Sequence, residues 1–492
     1  MATRREQLEA YIFARRRMVA AFLQPSPGGG TEDNAPKPMR MLTPSIVVAM
    51  LVLVGFGVVG LVRPGTPPGW KDRGSLIVGR DSASRYVFLD GKLHPVLNIA
   101  SGRLLLDPGR FKVNLVAEKR LDSVGHGAPL GIPNAPDRLP TAKAVKERKP
   151  WTVCERPALG KDGEPDPDGE PQRGVFIGAA PAEGALRPGE ALFVQDRNRH
   201  KYLVHQGRRF LVEAPTVIGA LNLVGMPAQP VGDAWLATLI EGGTIDHPTP
   251  AGYGAATRLP LAPEYNRVGV VLRAEGAARR QNYVVTHEGV MPVSELTAVL
   301  LTTNPRAREA YGSTTPTAFP VNLGMLGGAV VQDRTFAAEK GWPEIPPTPM
   351  NRITRDDLEL PRNVVCNTFS GEWRGGRPVT AQSAGTRPPE QLADGMGGVW
   401  VKPGAGALYR EVTGTPDDGG PTYLVADSGL RYAIAETART GGAPAAREQE
   451  SEAKLRLGYR GVEVRPLPRA WSELVARGPQ LSTADAKRPQ GS

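Results

Sequence analysis

The sequence predicts a β-rich α+β protein, in which a single-pass membrane anchor precedes an extracytoplasmic region of four related hairpin-containing repeats. Three observations support this prediction. Residues 41–62 carry no charged side chain, and a tyrosine-led pattern of two short apolar segments recurs four times after them. Glycine (58) and proline (48) together exceed a fifth of the 492 residues, which favours short strands and many turns over long helices.

The first element is predicted to be an amphipathic helix over residues 3–23, because this segment lacks glycine and proline and its apolar residues tend to one side. A Gly/Pro-containing linker, residues 24–40, follows it. Docking on a partner protein and lying on the anionic inner leaflet both fit this composition. For partner docking, the candidate side chains are apolar or basic: Leu8, Ile12, Phe13, Arg15, Arg16 and Arg17.

The second element is the membrane anchor. Residues 46–62 are apolar or glycine throughout, and the 22 residues from 41 to 62 would reach about 33 Å as a helix, enough to cross the hydrocarbon core. A buried core helix of this length would need a polar face. A cleaved signal peptide would begin nearer the N-terminus and end at a small-x-small site. We therefore expect a transmembrane helix.

The charges that flank this segment predict its orientation. Residues 1–40 hold seven Lys/Arg, whereas only three follow within a dozen residues of the segment: Arg63, Lys71 and Arg73. The positive-inside rule places the N-terminus in the cytoplasm and the rest of the chain outside it. The net charge of +10 is otherwise scattered, without a basic stripe interleaved with aromatic residues, so we expect no nucleic-acid partner.

Four segments beyond the anchor share one pattern, in which a tyrosine-led apolar strand and a tight turn ending in glycine precede a second short strand. They are YVFLDGKLHPV (86–96), YLVHQGRRFLV (202–212), YVVTHEGVMPV (283–293) and YLVADSGLRYAI (423–434). The spacings between their tyrosines, 116, 81 and 140 residues, are too uneven for a regular solenoid. We expect four related modules with an insert between them.

A longer match indicates duplication. Residues 221–245 align without a gap on residues 457–481 at six identical positions, among them Pro230 with Pro466 and Trp235 with Trp471. We interpret the two tryptophans as packing anchors rather than sugar-binding platforms. Two further stretches, residues 155–173 and 439–454, are predicted to be flexible insertions because of their composition.

The two cysteines of the chain, Cys154 and Cys366, both fall on the extracytoplasmic side. In an oxidising compartment an even pair predicts one disulfide, and two buried free thiols are the alternative. Two cysteines without a nearby histidine do not make a structural zinc site. We therefore predict no metal site.

No catalytic motif is visible. The sequence contains no Gly-x4-Gly-Lys-Ser/Thr string, and the glycine-rich residues 395–398 and 404–406 are not followed by Lys-Ser/Thr. Asp427, Ser428 and Gly429 resemble the serine segment of trypsin-like proteases but fall on a predicted hairpin turn. Gly-x-Ser-x-Gly and His-Glu-x-x-His motifs are also missing. We expect no cofactor and a non-catalytic protein.

The order of these features resembles the EccB family of type VII (ESX) secretion systems. The resemblance covers nearly the whole chain. The matching features are the N-terminal helix with Arg5, Gln7, Arg15 and Arg16, the apolar segment after it, GIPNAPDRLP at 131–140, Trp-x-x-Cys at 151–154 and the ending at 457–482.

This resemblance implies a structural core subunit of an inner-membrane translocation complex, in which an elongated extracytoplasmic part has repeats flanking a central domain closed by the cysteine pair. The implied partners are an FtsK/SpoIIIE-like motor ATPase, a polytopic membrane subunit, a further membrane subunit, a subtilisin-like mycosin protease and other copies of the chain. An ATP-hydrolysing component, as the family is sometimes labelled, and a cell-wall-binding anchor are the alternatives.

The resulting domain prediction has five parts. They are a cytoplasmic helix and linker (1–40), a transmembrane helix (41–62), a first repeat region (63–150), a central region with the disulfide and repeats two and three (151–370), and a fourth repeat with a C-terminal segment (371–492).

Overall fold

The computed structural model describes residues 3–23, 38–62, 68–160, 165–166, 169–275, 281–331, 333–353, 361–390, 392, 396–436 and 451–490. In the two N-terminal helices, the described side chains are those of residues 4–19, 22 and 44–57. The predicted linker 24–40 falls outside the described residues up to residue 37.

The helices are short except for the first two. In chain order they are α1 (Arg4–Leu23), α2 (Pro38–Val62), α3 (Ile99–Leu105), α4 (Glu118–Leu121), α5 (Ala142–Lys146), α6 (Pro215–Ala220), α7 (Asp233–Leu236), α8 (Glu295–Thr302), α9 (Ala307–Tyr311), α10 (Leu323–Leu326), α11 (Glu452–Leu457), α12 (Arg469–Ser472) and α13 (Thr483–Ala486).

The strands are also short, as the glycine and proline content predicts. In chain order they are β1 (Ser75–Gly79), β2 (Arg85–Leu89), β3 (Lys92–Pro95), β4 (Lys112–Val116), β5 (Trp151–Arg156), β6 (Ala158–Leu159), β7 (Pro165–Asp166), β8 (Gln172–Ile177), β9 (Glu190–Gln195), β10 (Lys201–His205), β11 (Arg208–Leu211), β12 (Gln229–Pro230), β13 (Ile240–Thr244), β14 (Val271–Glu275), β15 (Gln281–Val285), β16 (Val290–Val293), β17 (Phe319–Asn322), β18 (Thr348–Pro349), β19 (Val364–Arg374), β20 (Arg377–Gly385), β21 (Gly398–Val401), β22 (Ala407–Val412), β23 (Thr422–Val425), β24 (Arg431–Ala433) and β25 (Arg465–Pro468).

Four peripheral sheets share one strand order. The first sheet is β3-β2-β1-β4, the third is β16-β15-β14-β17 and the fourth is β24-β23-β22-β25. The second sheet contains the same arrangement as β11-β10-β9-β12, with β13 and β18 added. In each sheet three strands form an antiparallel meander, and the last strand runs parallel to the first.

The tyrosine-led segments are the hairpins of these meanders, because alternation and a glycine turn are local signals that suffice for a hairpin. The parallel fourth strand needs a crossover, and a helix provides it in each sheet: α3, α6, α8 and α11. Polar side chains cap three of these helices, since Asn98, Ser294 and Ser451 each accept a hydrogen bond from the backbone three residues on. The sheet-rich α+β class is confirmed.

A fifth, central sheet has the order β20-β19-β5-β8-β21. It combines residues 151–177 with residues 364–401, which are far apart in sequence. Strand β19 passes through the domain boundary predicted at residue 370, because its pairing with β20 continues on both sides of that position, whereas its pairing with β5 ends at Phe369.

Shared hydrophobic cores connect the five sheets in series. One core contains residues of the first and fourth sheets, such as Leu104 and Leu457. A second joins the fourth, central and second sheets through residues such as Trp471, Val153 and Trp235. In a third, Leu296 of α8 packs among residues of the second sheet, which connects it to the third. The spatial order is therefore first, fourth, central, second, third.

The two predicted insertions are partly regular structure. Residues 155–156 end β5, β6 pairs with β7, and β8 begins at residue 172. Pairing of β5 with β8 therefore extends regular structure into this insertion, and Glu155 is buried there. Residues 439–450 lie outside the described residues, but Ser451 caps α11, which begins at Glu452.

Within the part of the chain that the structure describes, no helix combines the length and the apolar character needed to cross a membrane.

Candidate functional site

The cysteine pair lies in the middle of the central sheet. Cys154 on β5 is directly opposite Cys366 on β19, and the two form a disulfide with a Cα–Cα distance of 4.0 Å. Both are fully buried and pack with Phe176, Val364 and Met396. The predicted pairing is confirmed, and the alternative of two free thiols is wrong. The bond joins two strands whose sequence separation is 212 residues.

Glu155, the next residue on β5, is a buried carboxylate at the boundary between the central and second sheets. One of its oxygens accepts a hydrogen bond from the backbone N–H of Gly232, at 2.6 Å, immediately before α7. Arg173 Nε lies 3.9 Å from the other oxygen. Burial raises the pKa of Glu155 to about 7, against the opposing effects of the Gly232 N–H and of Arg173.

Sequence reasoning missed Glu155 by placing it in the predicted flexible insertion. Strand β5 extends from Trp151 through Arg156, but the apolar pattern of its sequence ends before Glu155. Acidic residues and prolines follow immediately, so no local signal indicated a buried carboxylate here.

We expect Glu155→Gln to change the pH dependence of stability. The folded-state pKa lies above the ordinary value of 4.5, so the folded state binds more protons than the unfolded state between about pH 4.5 and 7. The wild-type unfolding free energy therefore falls as pH rises through this window. The variant should lack this fall, which amounts to about 3 kcal/mol by the size of the shift. Urea unfolding of the solubilised chain at pH 4.5 and 7.5 measures it, and parallel pH profiles would contradict the assignment.

A buried polar chain also connects the central and second sheets. Gln382 on β20 accepts from the backbone N–H of Gly207, in the β10–β11 turn, at 2.7 Å. The same Gln382 donates to Asn367 Oδ1 at 2.9 Å, and Asn367 donates to Thr238 Oγ1 at 2.9 Å. Buried hydrogen bonds of this kind fix geometry, because leaving any member unpaired costs about 1–3 kcal/mol. The hairpin of the second sheet is thereby fixed against the central sheet.

Aromatic packing joins the central sheet to the fourth sheet. The Trp151 ring on β5 meets the Tyr409 ring on β22 edge-on, with centroids 5.4 Å apart. Phe369 on β19 lies 5.9 Å from Trp471 in α12. Trp235, at the position in the second sheet that aligns with Trp471, is likewise fully buried. Both tryptophans therefore pack as predicted, and neither ring is accessible to a sugar.

The first and fourth sheets are joined by a reciprocal contact between their crossover helices. Arg103 of α3 donates to the carbonyl of Leu457, the last residue of α11, at 2.9 Å. Arg456 of α11 donates in return to the carbonyl of Leu106, just after α3. Each arginine satisfies a carbonyl at the C-terminal end of the other helix, where a cation is favoured. This contact is a local pseudo-twofold pairing.

The fourth sheet also contains a buried ion pair. Arg431 Nη1 on β24 lies 2.7 Å from a Glu411 carboxylate oxygen and donates to Ser472 Oγ at 2.6 Å. Tyr409 OH contacts the same hydroxyl at 2.9 Å, and burial raises its pKa. Removing one partner of such a buried ion pair is destabilising, because the other charge is left buried without compensation. This cluster fixes α12 against the meander.

The residues that resemble a protease serine segment, and one histidine, His247, lie in ordinary structural positions. Asp427, Ser428 and Gly429 form the β23–β24 turn, with Ser428 Oγ 3.0 Å from Tyr432 OH. His247 connects the crossover helices of the second and third sheets by contacts with Thr216 and the Leu300 carbonyl. Among the described residues, no group of three or more His, Cys, Asp or Glu side chains is placed to hold a metal ion.

The comparison with protein families decides the identity. A family model described as "Type VII secretion system ESX-1, transport TM domain B" matches residues 1–491. The chain belongs to the EccB family.

Curated EccB proteins are similar over most of their length. The ESX-3 secretion system ATPase EccB3 of Mycolicibacterium smegmatis is 26% identical over 478 residues, covering 91% of this chain and 84% of that protein. The protein of the same name from Mycobacterium tuberculosis is 27% identical over 487 residues, covering 91% and 83%.

Solved structures from ESX complexes share the fold. A chain of an intact ESX-5 inner membrane complex superposes with a TM-score of 0.63 at 21% identity, covering 100% of this chain and 96% of that one. The EccB3 dimer from the ESX-3 core complex gives a TM-score of 0.64 at 22% identity, covering 84% and 99%.

In this EccB chain the predicted partner-binding residues lie on α1, where the side chains of Leu8, Ile12 and Phe13 are exposed. The predicted one-sided pattern is weak. Phe13 is five residues after Leu8, which places it about 140° around the helix, whereas Arg15 falls close to the direction of Leu8. The Arg5–Glu9 pair, at 3.9 Å, is a surface contact.

Proposed function

We propose that this EccB-family chain is a non-catalytic structural subunit of an inner-membrane type VII secretion complex and forms part of its extracytoplasmic region. The observation that carries the proposal is the series of five sheets connected by three shared cores. The buried polar groups at the contacts between sheets hold those sheets together, as the Arg103–Leu457 and Gly207–Gln382 contacts do. This arrangement suits a rigid scaffold.

The four peripheral sheets are proposed to be four related repeats. Support comes from register, because the leading tyrosine of each hairpin lies opposite the first strand, which in turn pairs with the parallel fourth strand. The pairs are Tyr86 with Ile77, Tyr202 with Val194, Tyr283 with Leu272 and Tyr423 with Tyr409. Duplication of one unit accounts for this shared geometry.

The proposed topology is one membrane span at residues 41–62, with the N-terminus in the cytoplasm and the sheets outside. The uncharged sequence of that segment and the basic residues before it support this proposal. We expect a reporter enzyme fused after Ser492 to be active if it works only outside the cytoplasm, and to be inactive if it works only in the cytoplasm. Enzyme activity measured in intact cells checks this, and an active cytoplasm-only reporter at the same position would contradict it.

The proposed partners are the FtsK/SpoIIIE-like motor ATPase, the polytopic subunit, the further membrane subunit, the mycosin protease and other copies of this chain. Deletion of the chain should remove the high-mass complex from a blue-native gel of solubilised membranes. The relatives named ATPase make nucleotide hydrolysis the alternative function. Hydrolysis by the purified chain, free of the motor subunit, would overturn the non-catalytic proposal, and retention on insoluble peptidoglycan would favour a cell-wall anchor.

We further propose that α1 docks on a cytoplasmic surface of the complex near the motor, where Arg15, Arg16 and Arg17 pair with acidic residues. Replacing Leu8, Ile12 and Phe13 with serine should reduce secretion or assembly while membrane insertion stays normal, because every positive charge remains. Secretion assays and blue-native gels measure the effect.

The matched control for α1 replaces Arg15, Arg16 and Arg17 with glutamine and leaves the apolar residues in place. Because that control alters the positive-inside charge, it tests topology. If the serine variant secreted normally and gave a complex of unchanged size, α1 would serve only to set orientation.

A further inference from the structure

The outer edges of the four peripheral sheets differ at one equivalent position. In each sheet, one residue of the first strand lies opposite the leading tyrosine on one side and opposite a residue of the parallel fourth strand on the other. These fourth-strand residues are Asn114, Gln229, Phe319 and Arg465. The residue that follows is proline in three sheets and leucine in the first. These residues are Pro230, Pro320, Pro466 and Leu115.

At this second position, the one occupied by proline or leucine, the backbone N–H and C=O point away from the sheet. In the first sheet the backbone N–H of Lys112 donates to the Gly74 carbonyl, and the Val116 carbonyl accepts from Arg80, each at 2.9 Å. Residues 112, 114 and 116 therefore direct their backbone groups toward β1, and residues 113 and 115 direct theirs outward. Proline at such a position removes the outward N–H donor and blocks the addition of another strand.

Strand β4 lacks this block. Leu115 keeps its outward N–H, and β4 ends its sheet without a further strand among the described residues. The side chains of Val113 and Leu115 are 55% and 54% exposed. Both project on the face that contains Leu76 and Val78 of β1, because paired residues of parallel strands share a face. An open edge and an exposed apolar strip therefore coincide.

We propose that β4 adds a strand from a second copy of this chain, with the two β4 strands antiparallel about Asn114. Val113 then lies opposite Leu115 of the second copy, and these outward-facing residues exchange both backbone hydrogen bonds. Two Val113 and two Leu115 side chains form one apolar face. Each Lys112 lies opposite Val116, so the two lysines are about 13 Å apart along the ladder and do not repel closely.

The occupant is a second copy because the sequence of β4 complements itself in this register. Val113 and Leu115 lie opposite each other, so apolar residues meet apolar residues. Lys112 lies at the end of the ladder in this register, away from the apolar pairs. The inference rests on the proposed homo-oligomer within the complex and specifies its contact. Other extended segments are outcomes of the test.

Cysteine crosslinking in membranes containing the full chain tests the register. The two native cysteines are bonded to each other, so an introduced cysteine is the sole free thiol. In Asn114→Cys the two new cysteines face each other in a non-hydrogen-bonded pair, with Cα atoms about 4.5 Å apart. Mild oxidation should give a disulfide-linked dimer on a non-reducing gel. Lys112→Cys is the matched control and should not crosslink, since its partner is about 13 Å away.

Leu115→Pro tests the edge itself. Introduced into the Asn114→Cys chain, it should lower crosslinking at least tenfold, whereas Leu115→Thr, which keeps the N–H, should retain most of it. The Cys154–Cys366 disulfide reports that the chain has folded. Equal crosslinking of the proline and threonine variants overturns the proposal, as does equal crosslinking at residues 112 and 114.

Two further outcomes separate this inference from the proposed function. An unchanged complex on a blue-native gel, with no crosslink from Asn114→Cys, overturns the strand pairing and leaves the structural role standing. A crosslinked species that contains a different subunit overturns the choice of a second copy as the occupant.

Discussion

The double variant Cys154→Ala, Cys366→Ala is expected to lose about 5 kcal/mol of unfolding free energy at most. The disulfide closes a loop across a sequence separation of 212 residues, and the chain-entropy cost of such a loop in the unfolded state sets this upper bound. The bond also joins β5 to β19, which come from distant parts of the chain. Urea unfolding of the solubilised protein, followed by circular dichroism without reductant, measures the loss.

Addition of reductant to the wild-type chain provides the control. Reduction should give the same loss if the crosslink, rather than the packing of the two sulfur atoms, is responsible. A double variant with the wild-type urea midpoint would contradict the assignment of the central sheet as the element that the disulfide stabilises. Because shared cores on both sides adjoin this sheet, we also expect earlier proteolysis of residues 364–401 in the variant.

Trp471→Ala is expected to cost about 3–5 kcal/mol, as large aromatic truncations in packed cores do. The Trp471 ring is fully buried and lies 5.9 Å from Phe369 of the central sheet. Truncation leaves a cavity where the fourth and central sheets meet. The lower urea midpoint should be accompanied by increased amide hydrogen exchange in β19 and β22.

Two tryptophan variants provide the comparison. Trp235→Ala removes the aligned, fully buried side chain of the second sheet and should cost a similar amount, with increased exchange in β5 and the second sheet instead. Trp70→Ala removes a half-buried ring next to Lys71 and should cost much less. Equal effects at Trp70 and Trp471 would mean that burial at the contact between sheets is not the source of the stability.

Local signals were sufficient for the hairpins. The segment 86–96 is an apolar run followed by a turn at Asp90 and Gly91, and both turn residues adopt positive φ, as a two-residue hairpin turn requires. The other three segments also have an apolar run and a turn that ends in glycine, and Gln206 and Gly207 repeat the pair of positive φ values. The cysteine pairing was also accessible, because two cysteines in an oxidising compartment have one intramolecular partner each.

Composition misled the prediction where burial opposed it. Glu155 was assigned to a flexible insertion by its acidic, proline-rich neighbours, yet it is buried against Gly232 of another sheet. The residues that exclude water from Glu155 are distant in sequence, and no window around residue 155 contains them. The amphipathic pattern of α1 was overestimated because Leu8 and Phe13 were grouped by proximity rather than by angle.

The family, the sheet-rich class, the positions of the hairpins and the identity of the disulfide partners follow from the sequence, since each of these depends on local pattern or on residue count. Tertiary packing was needed to establish that the first sheet packs on the fourth, that β19 lies beside β5, and that Leu115 occupies an edge position where the other three sheets have proline. These facts depend on parallel pairings and shared cores between residues separated by up to several hundred positions. The free energy that selects them comes from burial between distant surfaces, which no local pattern encodes.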